Sequence, residues 1–120
     1  MLETMKKPVV LVADDEPLIT INLEVVLCEA GFTVVLAASC EEAQAWLSDE
    51  RPDMAVLEVR LKDRECVSLA ERLVLLGVPF VVHSGVLPAD CDVAFAYGKF
   101  IAKPGDPQEI VDLIKSMVAG

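Results

Sequence analysis

Five short apolar runs, at residues 8–13, 32–37, 54–57, 79–83 and 100–102, recur along the chain, and helical segments separate them. Each run is rich in Val, Ile, Leu and Phe and does not alternate with polar residues. Strands buried on both faces read this way, whereas half-exposed strands alternate. The intervening segments carry helix punctuation. Pro17 opens the first, which runs to a C-terminal stop at Gly31. Ser39-Cys40-Glu41-Glu42 has capping-box form, and a third helix stops at Gly77. Asp106 caps a last helix whose buried stripe is Ile110, Val111, Leu113, Ile114, Met117 and Val118. The segment from Ala89 to Tyr97 is poorly patterned, and a short fourth helix is expected there. The fold class is therefore α/β: a (βα)5 three-layer sandwich with a five-stranded parallel sheet between helices.

The 120 residues fit a single domain at 8–120 behind a flexible tail at 1–7. A hydrophobic share of 54% excludes intrinsic disorder. The formal charge of −10 opposes contact with nucleic acid by this chain alone. No apolar run reaches the ~20 residues of a bilayer span, so no membrane partner is expected and the chain reads as cytoplasmic. The four cysteines (Cys28, Cys40, Cys66, Cys91) form no metal-clamp spacing and read as reduced thiols.

Right-handed crossovers put every strand's C-terminal tip on one sheet edge, where ligands bind in open α/β folds. Asp14, Asp15 and Glu16 follow the first strand, Glu58 the third, Ser84 the fourth and Lys103 the fifth. Carboxylates gathered this closely need a proton, a hard cation such as Mg²⁺, or an ammonium group. An isolated acidic pair at this place would more simply cap the following helix. Four strand tips each delivering a polar group outweigh that reading.

Val-Ala-Asp14-Asp15-Glu16, Pro52-Asp53-Met-Ala-Val-Leu-Glu58-Val-Arg-Leu, Pro79-Phe-Val-Val-His-Ser84-Gly85 and Phe100-Ile-Ala-Lys103-Pro104 occur in this order. As a set they resemble the receiver domain of bacterial response regulators, CheY-like, over essentially the whole chain. The resemblance implies strand order 2-1-3-4-5 and a place in a two-component phosphorelay. In that family a sensor histidine kinase donates a phosphoryl group to an aspartate ending the third strand. Carried over, it casts Asp14, Asp15, Glu58 and the backbone carbonyl of Arg60 as Mg²⁺ ligands. It makes Ser84 and Lys103 the phosphoryl contacts and Phe100 the switch aromatic. Partners would be a histidine kinase or a downstream effector.

Glu58 stands where the family has the acceptor aspartate. One extra methylene moves the carboxylate by roughly 1.5 Å, and in-line transfer loses about 100-fold for ~1 Å of misplacement. Glu58 is therefore expected to accept phosphate poorly and to bond Ser84 or Lys103 in place of a phosphoryl oxygen. With one charge against nearly two, the imitation is partial. It either locks the active form or holds an inert one, and Mg²⁺ binding becomes weak or absent if Lys103 pairs with Glu58. Asp63, five residues on, is a poor substitute acceptor. Lys62 and Cys66 replace a usual proline and glycine, so the loop after Glu58 should take its own path. The nineteen positions from Ser84 to Lys103 are about a helical turn fewer than usual, which trims the usual output face.

Other readings are weaker. Three acids after the first strand oppose a flavin phosphate. His83 and Ser84 point to opposite faces, and no nucleophile elbow surrounds them, which disfavours a serine hydrolase. An Mg²⁺-dependent phosphatase with Asp14 as nucleophile, or slow phosphorylation of Glu58, are the alternatives. Trp46 suits packing, whereas Phe95, Tyr97 and Phe100 suit a docking patch. No output segment follows the last helix, so output is expected through partner contact or a longer parent protein.

Overall fold

Parallel pairing of the five apolar runs builds one sheet. The computed structural model describes residues 7–119, and all of the expected N-terminal tail but Lys7 lies outside the described residues. The strands are β1 (Val9–Ala13), β2 (Thr33–Ala37), β3 (Met54–Leu57), β4 (Phe80–Ser84) and β5 (Lys99–Ala102). They pair in parallel in the order β2-β1-β3-β4-β5, the topology read from the sequence. Four helices cover the faces: α1 (Pro17–Glu29), α2 (Cys40–Leu47), α3 (Val67–Leu76) and α4 (Pro107–Ala119).

Strand residues of opposite parity enter two separate cores, because successive side chains leave opposite faces of a sheet. Val10, Val12, Met54, Val56 and Val81 pack with Leu23 and Leu27 of α1 and Ile110 and Ile114 of α4. Leu11, Ala13, Ala55, Leu57 and Val82 pack on the other side with Leu47 of α2 and Leu69 and Leu73 of α3. This is why β1 and β3 are apolar along their whole length, and β4 from Phe80 to Val82.

The helix signals read from the sequence are seen as bonds. The Ser39 hydroxyl accepts the Glu42 N–H at 3.0 Å, and Glu42 reaches back to the Ala38 N–H at 2.6 Å. Asp106 accepts the Gln108 N–H at 2.9 Å. Gly77 closes α3 in the left-handed region at φ 71°, where a side chain would be strained.

Two expectations are corrected. The β4–β5 connection holds no α-helix; two 3-10 turns, Pro88–Asp90 and Val93–Tyr97, take its place. The segment is too short, and its apolar residues too irregularly spaced, to lay down an amphipathic helix. Nor are all four cysteines thiols. Cys40 and Cys66 form a disulfide with Cα atoms 5.7 Å apart, both fully buried, while Cys28 and Cys91 are free. The two cysteines lie far apart in sequence, and folding alone brings the α2 N-terminus against the α3 N-terminus. Asp63 reinforces the same junction by accepting the Cys40 and Glu41 N–H groups at 3.0 and 3.2 Å, so it serves as a helix cap. Its bond from the Cys40 amide holds the carboxyl below the usual Asp value.

The 26-residue separation gives the disulfide a sizeable loop to close, and opening it should cost about 3 kcal/mol. Urea unfolding should show a lower midpoint in dithiothreitol than without it, and Cys66→Ser should abolish the difference.

Candidate functional site

The parallel register carries the polar tips to one place. Past the last ladder residues, Asp14 N–H bonds Ala37 C=O at 3.1 Å and Glu58 N–H bonds Ala13 C=O at 2.9 Å. Lys103 N–H bonds Ser84 C=O at 3.0 Å. Each polar residue thus begins where its strand leaves the sheet, and neighbouring strands set the spacing.

The Lys103 ammonium is the centre of the site. It contacts Asp14 Oδ2 at 2.9 Å, Glu58 Oε1 at 2.8 Å and Glu16 Oε1. Asp14, Glu58 and Lys103 are largely withdrawn from water, whereas the Glu16 side chain is 57% exposed. The outer pair is therefore the weaker contributor. Burial alone would lower the Lys103 pKa, but its hydrogen bonds to Glu16, Glu58 and Asp14 outweigh it and push the ammonium well above its usual range. Burial raises the Asp14 pKa, an effect opposed by the Glu16 N–H and by Lys103.

Glu58 spends both oxygens. Oε1 holds Lys103, and Oε2 folds back to accept the N–H of Val59 at 2.7 Å. Ser84 stands at the same rim but turns elsewhere: its Oγ accepts the Val86 N–H at 3.1 Å. Of the two partners expected for Glu58, the amine is engaged and the hydroxyl is not. Phe100 pairs in register with Val82 and packs half-buried against the α2–α3 core. Arg60 is exposed and bridges to Glu65 across the loop.

Carboxylate oxygens of Asp14, Glu16 and Glu58 lie within 4.8 Å of one another. Oxygen donors of this kind suit a hard divalent cation. Lys103 already supplies one positive charge, leaving a formal −2 for such an ion to meet. Asp15 lies outside the group and instead lines a cavity of about 190 Å³ with Leu36 and Glu42. Glu16, which the implied ligand set left out, joins the group. The acidic run itself signalled Glu16, but only the turn after β1 decides which acid faces Lys103. The Val59 amide was also missed, since backbone donors leave no mark in a sequence.

His83, the sole histidine, is buried behind this cup. Its Nε2 accepts the Gly105 N–H at 3.2 Å, and its Nδ1 has no partner. Gly105 is required there, because a Cβ would stand 2.9 Å from Nε2. Burial, then the charge of Lys103, lowers the His83 pKa below its ordinary 6.5.

The family model for the response regulator receiver domain matches residues 10–115. The chain belongs to the response regulator receiver domain family. The receiver domain is 27% identical over 124 residues to the transcriptional regulatory protein AruR of Pseudomonas aeruginosa, covering 92% of this chain and 49% of that protein. It is 30% identical over 111 residues to the sensory transduction protein LytT of Enterococcus faecalis, covering 88% and 46%. The chain thus spans about half the length of the curated relatives it matches. A CheY-like receiver domain from Methanospirillum hungatei JF-1 superposes with a TM-score of 0.86 at 24% identity, covering 95% of each chain. Receiver domains are signalling modules of two-component systems that typically bind Mg²⁺ at an acidic pocket, and this one carries an acidic cluster at the strand tips.

Removing the central cation should expose the charge conflict. Lys103→Met should cost about 3 kcal/mol in urea unfolding, because it strands buried carboxylates. Added Mg²⁺ should restore more stability to this variant than to the parent protein. The contribution of Lys103 to the parent should persist up to its usual value near 10.5 and fade only as pH rises through its elevated folded value.

The His83 ring protons should titrate in NMR with a midpoint below 6.5. From 6.5 down to that midpoint the unfolded chain binds more protons than the folded one, so acidification through this window should destabilise the domain.

Proposed function

We propose that this receiver domain, residues 8–120, signals by binding a protein partner and that ordinary aspartyl phosphorylation does not set its state. The reading is carried by the double engagement of Glu58. Its two oxygens take the Lys103 ammonium and the Val59 N–H, donors that a phosphoryl group on a shorter acid would otherwise meet. A glutamate there occupies the space the incoming group needs and already neutralises the amine. In-line transfer is correspondingly slow. Because Glu58 brings one charge and leaves Ser84 on the Val86 amide, the imitation of a phosphorylated site stops halfway.

Asp14, Glu16 and Glu58 are the proposed Mg²⁺ ligands, with Asp15 and the Arg60 carbonyl as ligands implied by family resemblance. Lys103 competes for the same oxygens, so Mg²⁺ binds weakly. Ser84, Lys103 and Phe100 keep the positions of phosphoryl contacts and switch aromatic. The domain works without turnover of a substrate: Asp14, the candidate nucleophile of a phosphatase, is buried and held by Lys103 and the Glu16 N–H. A histidine kinase or downstream effector is the partner, and the charge of −10 opposes nucleic-acid contact by this domain. A cytoplasmic location fits the family and the lack, among the described residues, of any helix long and apolar enough to cross a membrane.

Incubation with a small acyl-phosphate donor and Mg²⁺, followed by intact mass, tests the reading. The parent chain should gain no phosphoryl adduct, and Glu58→Asp should gain one. An adduct on the parent chain that disappears in Glu58→Gln would make Glu58 a working acceptor and sink the proposal.

A further inference from the structure

The β4–β5 connection, residues 85–98, crosses beside α3 with only two short 3-10 turns. A full helix there would lie along the flank of α3. The two 3-10 turns do not fill that space, and a groove of about 490 Å³ opens between α3 and the second turn. Its walls are Val74 and Leu75 on one side and Val93, Ala94 and Tyr97 on the other, with Glu71 the sole charged residue in the lining. Leu75 is 85% exposed, Val93 80% and Tyr97 73%. Phe95, between them in sequence, is fully buried and anchors the turn in the core. The aromatic set read from the sequence thus divides: Phe95 and Phe100 pack inward, and Tyr97 is the member that reaches outward.

Large side chains held open on a rigid wall carry a hydration cost that a partner relieves. The concave shape and volume match a site that swallows several apolar side chains. The charges around it select the partner. Glu71 sits in the lining, and Asp90 and Asp92 flank the second turn on a chain of net charge −10. Arg72, beside Glu71 in sequence, is turned toward α2, bonding Gln44 and the Leu47 carbonyl. Lys99, beyond Gly98 on β5, is the nearest basic residue in the chain after Tyr97 and does not line the groove.

We propose that the α3–Tyr97 groove docks an amphipathic helix of a partner protein, with apolar residues at i, i+3, i+4 and i+7 in the groove and a Lys or Arg paired with Glu71. The helix takes the place left by the shortened β4–β5 connection. Helix-in-groove recognition draws its affinity from such apolar anchors and its register from the edge charge. The proposal gives the partner-binding role a surface and a partner chemistry, and it rests on that role. It does not involve Glu58, so the acyl-phosphate experiment and the one below fail independently.

The probe is a synthetic helix of about 18 residues with Leu at the four anchor positions, one Lys placed to meet Glu71, and Ala and Gln elsewhere to favour the helix. A second peptide carries Glu in place of Lys. Titration into isotope-labelled protein, read by backbone amide shifts, should move residues 71–75 and 93–97 together. Affinity should fall at least ~10-fold in Leu75→Glu/Val93→Glu, fall less in Glu71→Gln, and stay unchanged in Leu18→Glu/Val25→Glu. That last pair tests the other exposed apolar stripe, on α1. The Glu peptide should not bind. All substituted apolar positions are more than half exposed, and melting curves will show that each variant folds.

Shifts centred on α1 or on the acidic cup, or full affinity in Leu75→Glu/Val93→Glu, would overturn the proposal. So would binding of the Glu peptide as tightly as the Lys peptide. Concentration-dependent dimerisation of the chain alone, lost in Leu75→Glu/Val93→Glu, would assign the groove to a second copy and likewise overturn it.

Discussion

One ammonium group held against three carboxylates governs the functional edge of this domain. Asp14, Glu16 and Glu58 leave β1 and β3 so close together that their charges must be balanced, and Lys103 from the β5 tip balances them. Two of the three pairs are shielded from water, where opposite charges attract more strongly but unpaired ones cost most. The arrangement therefore ties the β5 tip to the β1 and β3 tips. It also keeps Lys103 charged, while burial, helped by the Lys103 charge, lowers the pKa of His83 behind it.

The length of the acid at position 58 decides which donors it reaches. A longer side chain can reach the amine and its own following amide at once, and Glu58 does both. Its carboxylate thereby occupies both of these donors. The hydroxyl of Ser84 stays in a local turn with Val86.

Beside this edge, two features shape the surroundings of α3. The loop after Glu58 contains no residue at positive φ, and Cys66 enters α3 fully buried, bonded to Cys40. With the Asp63 cap on the same helix end, α2 and the β3–α3 loop become one unit. On the opposite flank of α3 the connection to β5 shrinks to two short turns and leaves α3 partly bare. One flank is clamped and the other open, which places the exposed apolar surface beside α3.

Much of this was legible in the chain. Continuous apolar runs fixed the parallel sheet, and the polar residue ending each run fixed the contents of the cup, because strand direction and crossover handedness leave one edge for all the tips. Caps at Ser39 and Asp106 and the stop at Gly77 were readable because their chemistry is local. What the tertiary structure alone decided is who meets whom. It chose Glu16 over Asp15 for Lys103, turned Ser84 away from Glu58, supplied the Val59 amide and brought Cys40 to Cys66. Those choices depend on turn geometry and on side-chain directions a few ångströms apart. Pattern and spacing specify which residues share an edge, but contact is settled only when the packed backbone fixes each side chain's direction.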